Sequence, residues 1–243
     1  MRLYSIASGS SGNCICVSSG NSTILIDAGI SGKKIESGMN QLDMTTRDVE
    51  AIFVTHEHND HIRGLGVLAR RYGIPIYGSI GTIKAMEKMD ALGKIPEGLM
   101  HVVDPDAITT IGDLDIDPFR IHHDAADPLG FKVVNGSKQM AVVTDTGHYD
   151  EEMVSHLTGL DVVLLESNHD VRMLETGRYP YYLKKRILGE KGHLSNETAG
   201  QMLCRLLHDD MKKIFLGHLS GENNLEALAL EAVKAEIAMS DIS

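Results

Sequence analysis

Tryptophan is absent from the 243-residue chain and aromatic residues make up only 5% of it. A core must therefore come from Ile, Leu, Val, Met and Ala rather than from stacked rings. The three cysteines, Cys14, Cys16 and Cys204, contain no CxxC pair, which excludes a cysteine-based zinc site and a disulfide framework; the odd count fits a reducing compartment. No apolar run approaches the ~18 residues of a membrane span. The opening Met-Arg-Leu-Tyr-Ser-Ile-Ala-Ser-Gly-Ser lacks the apolar core of a secretion signal. The expectation is a cytoplasmic protein with no membrane partner. Basic charge is also scarce: 23 Lys and Arg against 34 Asp and Glu leave a formal net charge of −11. So acidic a chain does not attract nucleic acid as a whole, and any nucleic-acid reading must rest on a local basic patch.

What is present is a series of short apolar runs that end in polar or glycine-rich turns, at 14–17, 23–26, 51–54, 115–121, 140–143, 162–165 and 214–216. These read as strands. Helical periodicity is expected over 62–72, 82–89, 197–211 and 225–239; the third places Ala199, Met202, Leu203, Leu206 and Leu207 on one face. No repeat or low-complexity linker interrupts the pattern, so the expectation is one α/β domain over 1–243 with a surface insertion at about 172–191.

Several of these strands run directly into metal-binding residue types. Ala51-Ile52-Phe53-Val54-Thr55 leads to His56, Met140-Ala141-Val142-Val143-Thr144 to Asp145, and Lys213-Ile214-Phe215-Leu216-Gly217 to His218. The strand at 115–121 leads to His122 and His123. Ligands commonly collect at the carboxyl ends of strands. In His56-x-His58-x-Asp60-His61 the two histidines share a side of an extended segment, and Asp60 and His61 open the following helix. Neutral imidazole and carboxylate suit zinc, manganese or iron. His122 and His123 point to opposite faces of a strand, so one of them is expected to bind, and His123 is preferred. With His123, Asp145 and His218 the set reaches seven donors, too many for one ion and right for two with Asp145 bridging: His56, His58, His123 and Asp145 on one, Asp60, His61, Asp145 and His218 on the other.

The succession Thr55-His56-x-His58-x-Asp60-His61, His123-Asp124, Thr144-Asp145-Thr146-Gly147 and Gly217-His218 resembles the motifs of the metallo-β-lactamase superfamily over nearly the whole chain. The resemblance implies a four-layer αββα sandwich of two mixed sheets with helices on the outer faces. It also implies two divalent ions, zinc or manganese with iron as a further option. Ile26-Asp27-Ala28-Gly29 resembles an early motif whose Asp braces the metal loop. Ser8-Gly9-Ser10-Ser11-Gly12-Asn13, Leu165-Glu166-Ser167-Asn168-His169, Gly192-His193-Leu194-Ser195-Asn196 and His218-Leu219-Ser220-x-x-Asn223-Asn224 are similar to the YycJ (WalJ) group. That group resembles the RNase Z-type phosphodiesterases and is associated with 5′-to-3′ exonuclease action on DNA.

The resemblance implies catalytic roles for Asp60, as acceptor of the attacking water's proton, and for His193, as proton donor to the leaving alkoxide. Asn168, His169, Asn223 and Asn224 are expected at the substrate or behind the ligands, with helix capping as the competing role for the last two. Ser10 and Asn13 lie in a turn that either approaches phosphate or is only a turn. The segment 172–191 carries Arg172, Arg178, Lys184, Lys185, Arg186 and Lys191 against Glu175 and Glu190, a net +4, interleaved with Tyr179, Tyr181 and Tyr182. Arg178 and Lys184 are its expected substrate contacts, on the pattern of single-strand stacking platforms; a solvated helix is the competing reading. The expected partner is nucleic acid, DNA before RNA. The enzyme alternatives are a small cyclic or diester phosphate hydrolase and a glyoxalase II-like thioester hydrolase. The non-enzyme alternative is a metal-binding scaffold.

Overall fold

The computed structural model describes residues 1–240. The chain divides into two compact units, one formed by Met1–Arg120 and Ala125–Lys138, the other by Ile121–Asp124 and the segment that starts at Gln139.

In the first unit β1 (Arg2–Ala7), β2 (Cys14–Ser18) and β3 (Thr23–Ile26) pair antiparallel, and β3 continues in parallel through β4 (Ala51–Phe53), β5 (Ile76–Gly78) and β6 (Met100–Val102). Side chains alternate across a strand, so β2, β3 and β4, buried throughout, each supply two buried faces. Cys14, Cys16, Leu25, Ile52 and Ile76 turn to one side and join a core with Ile35 and Met39 of α1 (Gly32–Gln41) and Leu65, Leu68 and Ala69 of α3 (Leu65–Tyr72). Between those helices lies the single turn α2 (Asn59–Ile62); α4 (Ile80–Met86) follows β5. On the sheet's other side Phe53 packs edge-on to Phe131, with ring centroids 5.4 Å apart. Phe131 belongs to β9 (Leu129–Asn135), which pairs antiparallel with β8 (Leu114–Arg120), itself paired with β7 (Thr109–Ile111). With both faces covered, Cys14 and Cys16 are fully buried, and burial pushes the Cys16 thiol up to about 12. They are packing residues.

The second unit is built on three parallel strands, β10 (Lys138–Val143), β11 (Val162–Glu166) and β12 (Lys213–Gly217). Its helices are α5 (Glu151–His156), α6 (Val171–Thr176), α7 (Tyr181–Ile187), α8 (Asn196–Leu206) and α9 (Glu226–Met239). Helices α8 and α9 approach closely at Gly200, where a Cβ would lie 2.7 Å from that of Glu236. Among the described residues no helix is long and apolar enough to cross a membrane.

Three expected helices differ in extent, and the one expected over 82–89 starts earlier, capped by Ser79, and ends at Met86. The one expected over 62–72 is broken at Gly64, which is pressed so tightly that a Cβ would meet the Ile30 carbonyl oxygen at 2.3 Å. The one expected over 197–211 ends at Leu206 because Leu207 turns to an extended backbone (ψ 138).

Gly29 fits where no side chain can, since a Cβ there would stand 1.6 Å from the Asp60 carbonyl oxygen. Gly29→Ala is therefore expected to destabilise the chain by about 1–3 kcal/mol through overpacking and to disturb the loop that carries Asp60. Denaturant unfolding and bound-metal content measured together check this; a variant with wild-type values for both would show that the loop yields freely.

Candidate functional site

The first unit presents its donors where β4 ends. Asp27, just past β3, takes a left-handed backbone (φ 62) and is buried. Its Oδ1 accepts from Thr55 N at 2.8 Å, and its Oδ2 accepts from Thr55 Oγ1 at 2.9 Å and His61 Nδ1 at 2.7 Å. Backbone bonds pin the same loop: Ala28 N donates to His61 O (2.8 Å), Asn13 N to Asp60 O (2.8 Å) and Gly29 N to Asn13 O (2.7 Å). The rings of His56 and His58 lie 4.5 Å apart and those of His56 and His61 4.1 Å apart. Asp60 Oδ2 is 3.5 Å from His61 Nε2.

In the second unit three strand ends supply Asp145, Glu166 and His218. Asp145 (φ 57) and His218 (φ 54) repeat the left-handed conformation of Asp27. Asp145 Oδ1 lies 3.5 Å from His218 Nε2, 3.5 Å from His193 Nδ1 and 3.8 Å from His123 Nε2. Glu166, fully buried, ties the group together. Its Oε1 accepts from His193 Nδ1 and His218 Nδ1, both at 2.8 Å, and its Oε2 from Thr146 N (3.0 Å) and Leu194 N (3.2 Å). Burial alone would raise the carboxyl, but the charges and hydrogen bonds of His193 and His218 outweigh it and hold Glu166 at about 2. His193 answers in kind: burial pulls it down, Glu166 pulls it further up, and it stands above the ordinary histidine value. Burial leaves His123 below that value in spite of Asp145 beside it.

A divalent metal fits these donors. His56, His61, His123 and His218 each direct Nδ1 to an acceptor (Thr55 Oγ1, Asp27, Gly192 O and Glu166), which sets the proton on Nδ1 and the lone pair on Nε2. His61 Nε2 in turn meets the Asn13 amide at 3.1 Å, as expected of a lone pair at that atom. Metal-bound histidines are usually oriented in this way by an acceptor behind them. Both oxygens of Glu166 accept from protein donors, so it anchors the candidate ligand His218 and His193.

Comparison with known proteins agrees with this chemistry. The family model described as "Beta-lactamase superfamily domain" matches residues 22–218. The chain belongs to the beta-lactamase superfamily. It is 42% identical over 240 residues to "Exodeoxyribonuclease WalJ" of Streptococcus pneumoniae, covering 98% of this chain and 89% of that protein. It is 41% identical over 228 residues to "Exodeoxyribonuclease YycJ" of Bacillus anthracis, covering 94% and 86%. Among solved structures, the metallo-beta-lactamase fold protein YhfI from Bacillus subtilis superposes with a TM-score of 0.74 at 18% identity, over 97% of this chain and 92% of that one. The fold is thus the α/β metallo-β-lactamase fold, with two six-stranded mixed sheets and their helices.

For this superfamily member the remaining expected residues sort by burial. His123 is buried, while His122 is half-exposed, bonded to Asp150 (2.7 Å) and stacked on His148 with ring centroids 3.9 Å apart. Four residues expected near substrate lie inside the second unit. Asn168 Nδ2 donates to His218 O (2.9 Å) and so holds a strand end. Asn224 Nδ2 donates to Ser167 O (2.8 Å) and Asn168 O (3.0 Å), and its Oδ1 accepts from Leu225 N (2.9 Å) at the start of α9. Asn223 and His169 are each 1% exposed, and burial pulls His169 down to about 4. Ser10 is exposed, whereas Asn13 is buried against His61. Lys184, expected at the substrate, donates its ammonium to Glu175 O and Gly177 O, both at 2.7 Å, and so ties its own segment together. Glu166 was missed as a site residue, although its place at a strand end, like Asp145 and His218, was the available signal.

Glu166→Gln keeps the shape but removes the charge and replaces two acceptor sites with donors. Metal affinity is expected to fall about 10–100-fold, the usual cost of losing such a partner, with the overall fold retained by circular dichroism. Chelator-competition titration measures this, and an unchanged affinity would strip Glu166 of the role.

Proposed function

We propose that this chain is a metal-dependent exodeoxyribonuclease, acting on DNA in the cytoplasm with 5′-to-3′ polarity. The observation that carries the reading is its 42% identity, over nearly the full length of both chains, to a protein named as an exodeoxyribonuclease. In this reading His56, His58, Asp60 and His61 of the first unit and His123, Asp145 and His218 of the second hold two divalent ions, zinc or manganese. Bound there, such ions supply a nucleophilic hydroxide near neutral pH and offset charge on the phosphoryl oxygens.

The chain's own residues carry the proton transfers. Asp60, with its side chain 27% exposed, accepts the proton of the attacking water. His193 donates a proton to the leaving sugar oxygen. Its Nδ1 is held by Glu166, so the ring is fixed, kept charged toward neutral pH, and left with Nε2 as the donating atom. Glu166 thereby orients a metal ligand, His218, and the acid, His193, through one oxygen.

Two predictions test this. Metal analysis of the saturated protein should find two ions per chain, falling to one or none in Asp145→Ala; intact occupancy of both after that change would remove its bridging role. His193→Ala should keep both ions, lose ~10²–10⁴-fold on a DNA oligonucleotide, and lose far less on a nitrophenyl phosphodiester, whose leaving group departs without a proton. Equal losses on both substrates would assign His193 to positioning instead.

A further inference from the structure

The chain has eleven tyrosines and phenylalanines, and Tyr181 and Tyr182, at 81% and 74% exposure, are the two that stand exposed among the described residues. They are adjacent, in the first turn of α7. Their exposure is built rather than loose. Pro180 sets the extended backbone before the helix (φ −64, ψ 151), Lys184 ties the helix to the carbonyls of Glu175 and Gly177, and Ile187 is buried beneath it. Arg186 grips Asp124 through two hydrogen bonds (2.5 and 2.9 Å), so α7 is clamped next to His123, and Gly189–Gly192 leads from α7 directly into His193. Two exposed rings on a rigid support contribute little to folding, and they sit on the same body as the catalytic histidine.

Charge identifies what would cover them. With Lys184 bonded to backbone carbonyls and Arg186 paired with Asp124, Arg172, Arg178, Lys185 and Lys191 remain exposed on the tyrosines' own segment, against Glu175 and Glu190, in a chain whose net charge is −11. A cationic surface with exposed rings matches a polyanion that has unpaired aromatic faces, and a duplex keeps those faces stacked inside. Resting on the nuclease reading above, we infer that Tyr181 and Tyr182 are a base-stacking pair that receives single-stranded DNA. Successive helical residues point about 100° apart, so each ring takes its own base and the strand turns between them.

The test is steady-state hydrolysis of a 5′-phosphorylated oligothymidylate by the metal-replete double variant Tyr181→Ala/Tyr182→Ala, with methyl nitrophenyl phosphate, which has no base, alongside. KM for the oligonucleotide should rise roughly tenfold or more per ring, in line with stacking on single strands, with kcat nearly kept. The Tyr181→Phe/Tyr182→Phe variant should restore it, since stacking needs the ring and not the hydroxyl. An unchanged KM, no rescue by phenylalanine, or an equal loss on the small diester would each overturn the inference. The nuclease reading fails separately: wild-type protein that binds the oligonucleotide through these rings but never cleaves it would sink that reading and leave the stacking surface standing.

Discussion

A carboxylate removed from water costs several kcal/mol unless donors surround it, and the arrangement of both donor sets follows from that requirement. Asp27 in the first unit and Glu166 in the second are buried charges, each satisfied by a backbone N–H and by the Nδ1–H of a candidate ligand histidine. The bond that satisfies the carboxylate also fixes the ring's tautomer and rotation. Stability and metal chemistry are thus one hydrogen bond in each case. Glu166 carries the larger load, because His193 and His218 share a single oxygen and neither can reorient without exposing the charge of the other's partner.

The same strand ends store backbone strain. Asp27, Asp145 and His218 are three of the four non-glycine residues with positive φ among the described residues. Such conformations cost of order 1–3 kcal/mol each. At Asp27 and His218 the side chain ahead is locked by hydrogen bonds, to Thr55 and His61 in one case and to Glu166 in the other. Each turns its side chain off the line of the strand at the edge where ligands collect. The buried amides of Asn168, Asn196 and Asn224 do the same service from behind, bonding one another and the carbonyls of Ser167, Asn168 and His218.

Much of this could be read from the chain alone. The strand at Thr23–Ile26 and the helix ending at Met239 stand where periodicity places them, and His56, His58, Asp60 and His61 are recognisable because their spacing is local. Strand alternation allowed only one of His122 and His123 to face the site, and the structure separates them by burial. The segment 172–191 was harder. Its composition is basic and aromatic, but composition does not say which cations are paired within the protein: Lys184 bonds backbone carbonyls and Arg186 pairs with Asp124.

The sequence by itself determined the residue types at the strand ends, the short-range His-Asp motif and the superfamily they signal, because all of these depend on neighbours a few positions apart. Only the tertiary structure decided which carboxylates hold a histidine, that Asn168 and Asn224 brace a strand end from inside, and that Tyr181 and Tyr182 face solvent. Asp27 meets His61 across 34 positions and Glu166 meets His218 across 52. Whether a carboxylate binds a metal or fixes a histidine depends on which donors reach it, and packing, not spacing along the chain, brings those donors within 3 Å.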